Sequence, residues 1–225
     1  MPVLFTCLLS LLLPGAVASA ADKPEQQLMQ IQTIYRNLTS LSFDFSQLTS
    51  TGGRERKGAG NAVFYRPKNK PGVMRWNYLE PDPQVILNDG TQLSIYTAKD
   101  NQLIVTSADE LQSDITYGFF SGTRTLLDDF TVKPADNRFL FGTDDNEMQV
   151  VQLVPRKPHG QLKALHLWFD KDFLIRKISM EDHFGSITEL RFTHIKLNAL
   201  PVDSADTLAG LLRLNLPPGT EIINQ

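Results

Sequence analysis

Residues 21–225 read as one mainly β domain, a barrel or a sandwich, behind a single N-terminal helix. Three observations predict this. Short runs that alternate apolar and polar residues recur along the chain. Gly, Pro, Asn and Asp punctuate them at regular spacing, which gives about eleven strands. No internal repeat and no low-complexity linker divides the chain.

Residues 1–20 read as a signal peptide. Val3 to Leu13 is apolar but shorter than the ~20 residues that span a bilayer. Pro14-Gly15 breaks the run, and Ala18-Ser19-Ala20 has the small-x-small form of a cleavage site. Cys7 lies too near the N-terminus for a lipidation site, which ends its apolar run in the cysteine. It is the single cysteine, so a chain starting at Ala21 has no disulfide, no thiol nucleophile and no cysteine zinc site. An exported chain without cysteine fits a bacterial periplasm. A net charge of −3 argues against nucleic acid as a partner.

A helix is expected over Asp22–Leu38, because Leu28, Ile31, Tyr35 and Leu38 fall on one stripe. Pro24 and Glu25 suit its first turn. It either plugs one end of a sheet or covers a cavity. Leu41 to Gln47 alternates strictly, with Leu41, Phe43 and Phe45 on the buried face. Arg54-Glu55-Arg56-Lys57 reads as a solvated edge.

Residues 58–96 hold the densest signal. Ala59 to Tyr65 is a strand closed by Arg66-Pro67. Val73 to Tyr78 is a second, with Met74, Trp76 and Tyr78 on one face. Gln84 to Leu87 follows, then Asn88-Asp89-Gly90 supplies the positive φ of a tight hairpin into Thr91–Tyr96. Gln102–Thr106 is a further strand. Ser107 to Leu127 breaks the β rhythm and gathers Ile115, Phe119 and Phe120, so one or two short helices are expected there. Phe130–Lys133, Arg138–Phe141, Met148–Val154, Ala164–Phe169, Leu174–Glu181 and Thr188–Leu197 resume the meander. A helical turn over 203–208 and a last strand over 210–216 complete it.

The 58–96 stretch also carries a resemblance. Arg66-Pro67, then Trp76-Asn77-Tyr78, then Pro83-Gln84, Ile86, Asp89-Gly90, Leu93 and Tyr96 resemble the periplasmic outer-membrane lipoprotein carrier family, LolA. The resemblance implies an incomplete antiparallel barrel with a helical lid over an apolar cavity. It implies a chaperone that takes acylated lipoproteins from an inner-membrane ABC-type exporter and hands them to an outer-membrane acceptor lipoprotein. It also implies an arginine that latches the lid. Arg66 is the expected latch, and Arg75 is its rival because Lys68-Asn69-Lys70 is inserted between Arg66-Pro67 and the aromatic run.

The residues expected to line the lipid-binding cavity are Phe43, Phe45, Phe64, Met74, Trp76, Tyr78, Phe119 and Phe120. Any one of them could equally pack a core. The expected state is a monomer without cofactor. No enzymatic constellation stands out. His159, His166, His183 and His194 lack metal-ligand spacing. Asp144-Asp145-Asn146-Glu147 and Asp128-Asp129 lack a calcium-loop pattern. G-x-S-x-G is absent, and Gly58-Ala59-Gly60 lacks the third glycine of a phosphate cradle. A lipid or lipoprotein sensor on the same architecture is the alternative to a carrier.

Overall fold

The computed structural model describes residues 22–111, 115–121, 125–136, 148–158 and 160–225. The leader, the strand expected over Arg138–Phe141, the acidic run 144–147 and His159 lie outside them.

The chain opens with α1 (Asp22–Arg36). Its last turn tightens, Asn37 N–H donating to the Ile34 carbonyl at 3.2 Å, so the helix ends two residues before Leu38. Six strands follow: β1 (Ser40–Thr51), β2 (Arg54–Tyr65), β3 (Val73–Glu80), β4 (Gln84–Asn88), β5 (Gln92–Thr97) and β6 (Gln102–Ser107). Then come the short helices α2 (Ile115–Phe120) and α3 (Leu126–Asp129). Next are β7 (Phe130–Pro134), β8 (Gln149–Pro155), β9 (Leu162–Phe169), β10 (Ile175–Asp182) and β11 (Ile187–Leu197). The chain ends with α4 (Ala205–Leu212) and β12 (Glu221–Asn224).

All twelve strands join one sheet in the order β12-β6-β5-β4-β3-β2-β1-β11-β10-β9-β8-β7. The two outermost strands, β12 and β7, do not pair, so the barrel is unclosed. Every pairing is antiparallel except β12 with β6. The expected count of about eleven becomes twelve among the described residues.

The last strand needs correction. The helical turn expected over 203–208 runs on to Leu212, so the strand expected over 210–216 does not form there; Ser204 caps the helix, its Oγ accepting from Thr207 N–H at 3.1 Å. The final strand comes after the Pro217–Gly219 turn. The charged run 54–57 lies in the interior strand β2, yet it is exposed. The reason is length: β3 ends at Glu80, opposite Ala59, so the first residues of β2 form a local edge.

Register lines up three inward rows across the sheet. Leu41, Phe64, Met74 and Asn88 form one; Phe43, Ala62, Trp76 and Ile86 the next; Phe45, Gly60 and Tyr78 the third. Paired residues share a face, so these rows build one wall. The sheet curls strongly. Met180 on β10 and Ile86 on β4 line one recess. Five strand spacings separate them in the sheet order, about 24 Å if it were flat.

Gly60 permits the aromatic row to close. A Cβ there would lie 1.8 Å from the Asn77 carbonyl oxygen, at a register shift between β2 and β3. Gly60→Ala must therefore push these central strands apart. The expected loss is more than about 3 kcal/mol, read as a lowered urea midpoint. A midpoint within experimental error of the unmodified protein would show that the strands absorb the methyl group.

Candidate functional site

The curled sheet encloses an aromatic core that the helices close at one end. Phe120 of α2 is its hub. Its ring centroid lies 5.2 Å from Phe43, 5.5 Å from Phe64, 5.3 Å from Phe192 and 5.3 Å from Phe119. Tyr35 of α1 packs on Phe119 at 4.7 Å, and its hydroxyl accepts from Ile175 N–H at 2.9 Å. Burial raises the Tyr35 phenol pKa, and the Ile175 bond partly offsets that rise. Gln32 of α1 reaches Leu126 N–H at 2.5 Å, and Arg36 reaches Thr125 Oγ1 at 3.1 Å. Helices α1, α2 and α3 therefore sit as one plug.

Beside this plug is an apolar recess of about 230 Å³. Phe64, Met74, Trp76, Tyr78, Ile86, Tyr117, Met180 and Leu190 form its walls, with Gln47 and Thr188. Among the described residues no charged side chain lines it. Of the residues expected from sequence, Phe64, Met74, Trp76 and Tyr78 come together here. Phe43, Phe45, Phe119 and Phe120 are buried next to it in the aromatic core, each 4% exposed or less.

Ile86, Tyr117, Met180, Thr188 and Leu190 were not expected. Their strand parity is readable in sequence, but not which distant strands meet. Tyr117 had one local signal, its place two residues before Phe119 in the apolar cluster. A second hollow, about 360 Å³, shares Phe64, Met74 and Tyr117 with the recess and continues past Arg66, Lys70, Pro71 and Gly72. A wider hollow of about 650 Å³ lies largely on the other face of the sheet. Lys57, Glu80, Glu189 and Arg191 rim it, so it does not suit an apolar ligand.

Arg66 ties the plug to the sheet. Its backbone N–H donates to the Thr39 carbonyl at 2.8 Å, extending the β1–β2 ladder one residue further. It follows Ala62 and Phe64 in the inward series, so its side chain turns toward the helices. Nη1 donates to the carbonyls of Tyr35 at 2.9 Å, Arg36 at 2.8 Å and Leu38 at 2.9 Å. Nη2 donates to the Phe120 carbonyl at 2.9 Å. Nη1 has two protons for three carbonyls, so at least one bond is shared. Tyr35, Arg36 and Phe120 are in the last turns of α1 and α2, where carbonyls lack intrahelical partners, and Leu38 follows α1 by two residues; a cation there also suits the helix dipole. Burial lowers the guanidinium pKa, but arginine remains protonated.

Arg75 points to the other face. Its Nη1 donates to the carbonyls of Leu211 at 3.0 Å and Arg213 at 2.8 Å, at the end of α4. Asn77 accepts from its Nε at 3.0 Å and donates to Asn61 at 2.8 Å. Tyr65 holds the start of the same C-terminal segment. Its hydroxyl donates to the Pro201 carbonyl at 2.9 Å and accepts from Ser204 N–H at 3.0 Å. The two arginines thus hold different helices on opposite faces. Arg75→Leu should speed amide exchange in α4 by at least about tenfold, one charge-assisted bond's worth. Exchange in α1 should stay unchanged. Equal acceleration in both helices would mean that Arg75 supports the whole sheet.

An open antiparallel sheet, curled round an apolar recess and plugged by helices at one end, defines a binding protein for apolar ligands. Comparison with known proteins makes the assignment specific. Residues 36–205 match the family model described as outer membrane lipoprotein carrier protein LolA, and the chain belongs to that family.

The outer-membrane lipoprotein carrier protein of Nitrosomonas europaea is 26% identical over 224 residues, covering 98% of each chain. That of Dechloromonas aromatica is 25% identical over 199 residues, covering 87% of this chain and 86% of the relative. Among solved structures, an uncharacterized conserved protein from Thermus thermophilus superposes with a TM-score of 0.55 at 12% identity, covering 90% of this chain and 99% of that one. MucB superposes with a TM-score of 0.53 at 15% identity, covering 88% of this chain and 65% of that one. The two structures share the fold.

Proposed function

We propose that this protein is a periplasmic chaperone that shields the acyl chains of lipoproteins in transit from an inner-membrane exporter to an outer-membrane acceptor. The observation that carries this reading is Arg66, which joins the ends of two plug helices over an apolar recess by four hydrogen bonds. Family membership supports the cargo. Physical chemistry supplies the need. Exposing an acyl chain costs about 0.8 kcal/mol per methylene, so a chain of about sixteen carbons opposes an aqueous crossing by more than roughly 10 kcal/mol.

The recess is below the ~300–1,000 Å³ of sites that enclose drug-sized ligands. Loading therefore requires the plug to move. In this reading the plug is a lid and Arg66 is its latch. Opening withdraws Phe119 and Phe120 on α2 and uncovers Phe43 and Phe45 as further wall. The binding step needs no covalent chemistry, metal or nucleotide. The leader is removed after Ala20.

Mass spectrometry of the protein purified from periplasm tests the reading. Diacylated lipoproteins should accompany it, and the mature mass should begin at Ala21. Co-purification of a signalling regulator without lipoproteins would favour the sensor. A mass retaining Met1 would reject export by cleavage.

A further inference from the structure

The second hollow joins the apolar recess to positive charge. It shares Phe64, Met74 and Tyr117 with the recess and then runs past Arg66 and Lys70. Its volume, about 360 Å³, falls within the ~300–1,000 Å³ of ligand sites. Among the described residues no acidic side chain lines it.

The neutral polar groups of this hollow are already engaged. The Tyr65 hydroxyl donates to the Pro201 carbonyl at 2.9 Å, the Tyr117 phenol meets the Asn88 side chain, and Ser121 Oγ donates to the Gly118 carbonyl at 3.3 Å. The two cations keep capacity. The bonds of Arg66 to helix carbonyls use Nη1 and one proton of Nη2, so Nε–H and the other Nη2 proton are left over. Lys70 is exposed and has no acidic partner among the described residues.

The loop that carries Lys70 is held on both sides of it. The Lys68 backbone N–H donates to Asp203 Oδ1. Pro71 seats on Gly90, where a Cβ would lie 2.1 Å from the Pro71 Cβ. An apolar recess that opens directly into a cationic hollow fits an amphiphile whose negative charge lies next to its chains. A phosphate esterified to diacylglycerol has that form. In an acylated protein the glyceryl group is bonded to a cysteine sulfur, which brings no anion of its own.

We infer that this hollow is an anion subsite for the headgroup phosphate of a glycerophospholipid, so that the protein also carries anionic diacyl phospholipid, with the chains in the recess and the phosphate on Arg66 and Lys70. This rests on the apolar-cargo reading of the recess. When the lid opens, Arg66 gives up the helix carbonyls and the phosphate replaces them as its acceptor. Anionic lipid therefore favours the open form more than neutral lipid does, because it binds that form better.

Competition against N-phenylnaphthylamine, an uncharged apolar dye, bound to the full protein tests this. Dioctanoylphosphatidylglycerol should bind at least about tenfold more tightly than dioctanoylglycerol, one charge-assisted bond's worth. Added salt should shrink that ratio. Lys70→Gln should lower it about two- to fivefold, as for an exposed ion pair, and Lys70→Glu should lower it further. Lys68→Gln is the control. Lys68 carries the same charge on the same loop but does not line the hollow, so the ratio should hold. Far-ultraviolet circular dichroism confirms the fold of each variant.

Equal affinity for the two lipids in the unmodified protein overturns the inference and leaves the apolar-cargo reading intact. A ratio unchanged in both Lys70 variants, or lowered as much by Lys68→Gln, overturns it as well, by placing the charge preference outside the hollow. Failure of both lipids to displace the dye overturns the cargo reading itself. Calorimetry with glycerol phosphate, which has the charge without the chains, separates lipid from free phosphate. Binding as tight as that of the phospholipid assigns the hollow to a free phosphate ester and overturns the lipid assignment; weaker binding supports it.

Discussion

Arg66→Leu should accept lipoprotein and fail to pass it on. The guanidinium makes four bonds to carbonyls at or just past the ends of α1 and α2, and leucine can make none. Hydrogen bonds to a charged group contribute about 1.5–3 kcal/mol each, without simple additivity. Taking a single bond's worth as the floor, the closed, empty form loses about ten- to a hundredfold in population. Release regenerates that form, so transfer to the acceptor should slow by a similar factor while loading persists. The measurement is transfer of a labelled lipoprotein from the loaded variant. Transfer at the unmodified rate would reject the latch. Arg75→Leu is the internal control. Its contacts lie at the end of α4 on the other face, so its transfer should remain close to normal. The reverse pattern would exchange the roles of the two arginines.

Phe120→Ala should make the protein less stable and a better receiver. Phe120 is 1% exposed and packs against Tyr35, Phe43, Phe64, Phe119 and Phe192. Truncating such a side chain costs about 3–5 kcal/mol, through lost transfer energy and the cavity left behind. The urea midpoint should fall accordingly. The cavity opens where a chain must enter, and the loss falls on the closed form, which a ligand must displace. Uptake of a fluorescent apolar probe should therefore tighten. Weakened uptake would show instead that Phe120 is chiefly a wall of the loaded site.

Much of this architecture is local and therefore legible in the chain. The alternation of Leu41, Phe43 and Phe45, and of Met74, Trp76 and Tyr78, declares which face of each strand is apolar, because side chains alternate with period two. Asn88-Asp89-Gly90 declares its turn. Gly90 adopts φ +92°, and Asp89 Oδ1 accepts from Thr91 N–H and Gln92 N–H at 2.8 Å each. Asp170 likewise accepts from Asp172 N–H at 2.9 Å and Leu174 N–H at 3.0 Å to turn β9 into β10. Arg66 stood out as a cation at the end of an apolar strand, fixed by Pro67.

The C-terminal segment shows where local reading fails. Leu212, Leu214 and Leu216 alternate as a strand would, yet the cap at Ser204 and the bonds from Arg75 make residues 205–212 a helix. The residues that edge β6 are four positions near the end of the chain, paired in parallel across more than a hundred residues of sequence.

The sequence by itself determined most of the strands, their inward faces, the turns and the aromatic set, because each depends on neighbours within a few residues. Only the tertiary structure decided that Met180 and Leu190 meet Ile86 across the recess. It also placed Arg66 under the ends of α1 and α2 and sent Arg75 to α4. Those outcomes depend on how far twelve strands curl before the sheet stops. Curl is the sum of small twists along the whole sheet, and no short window of residues contains that sum.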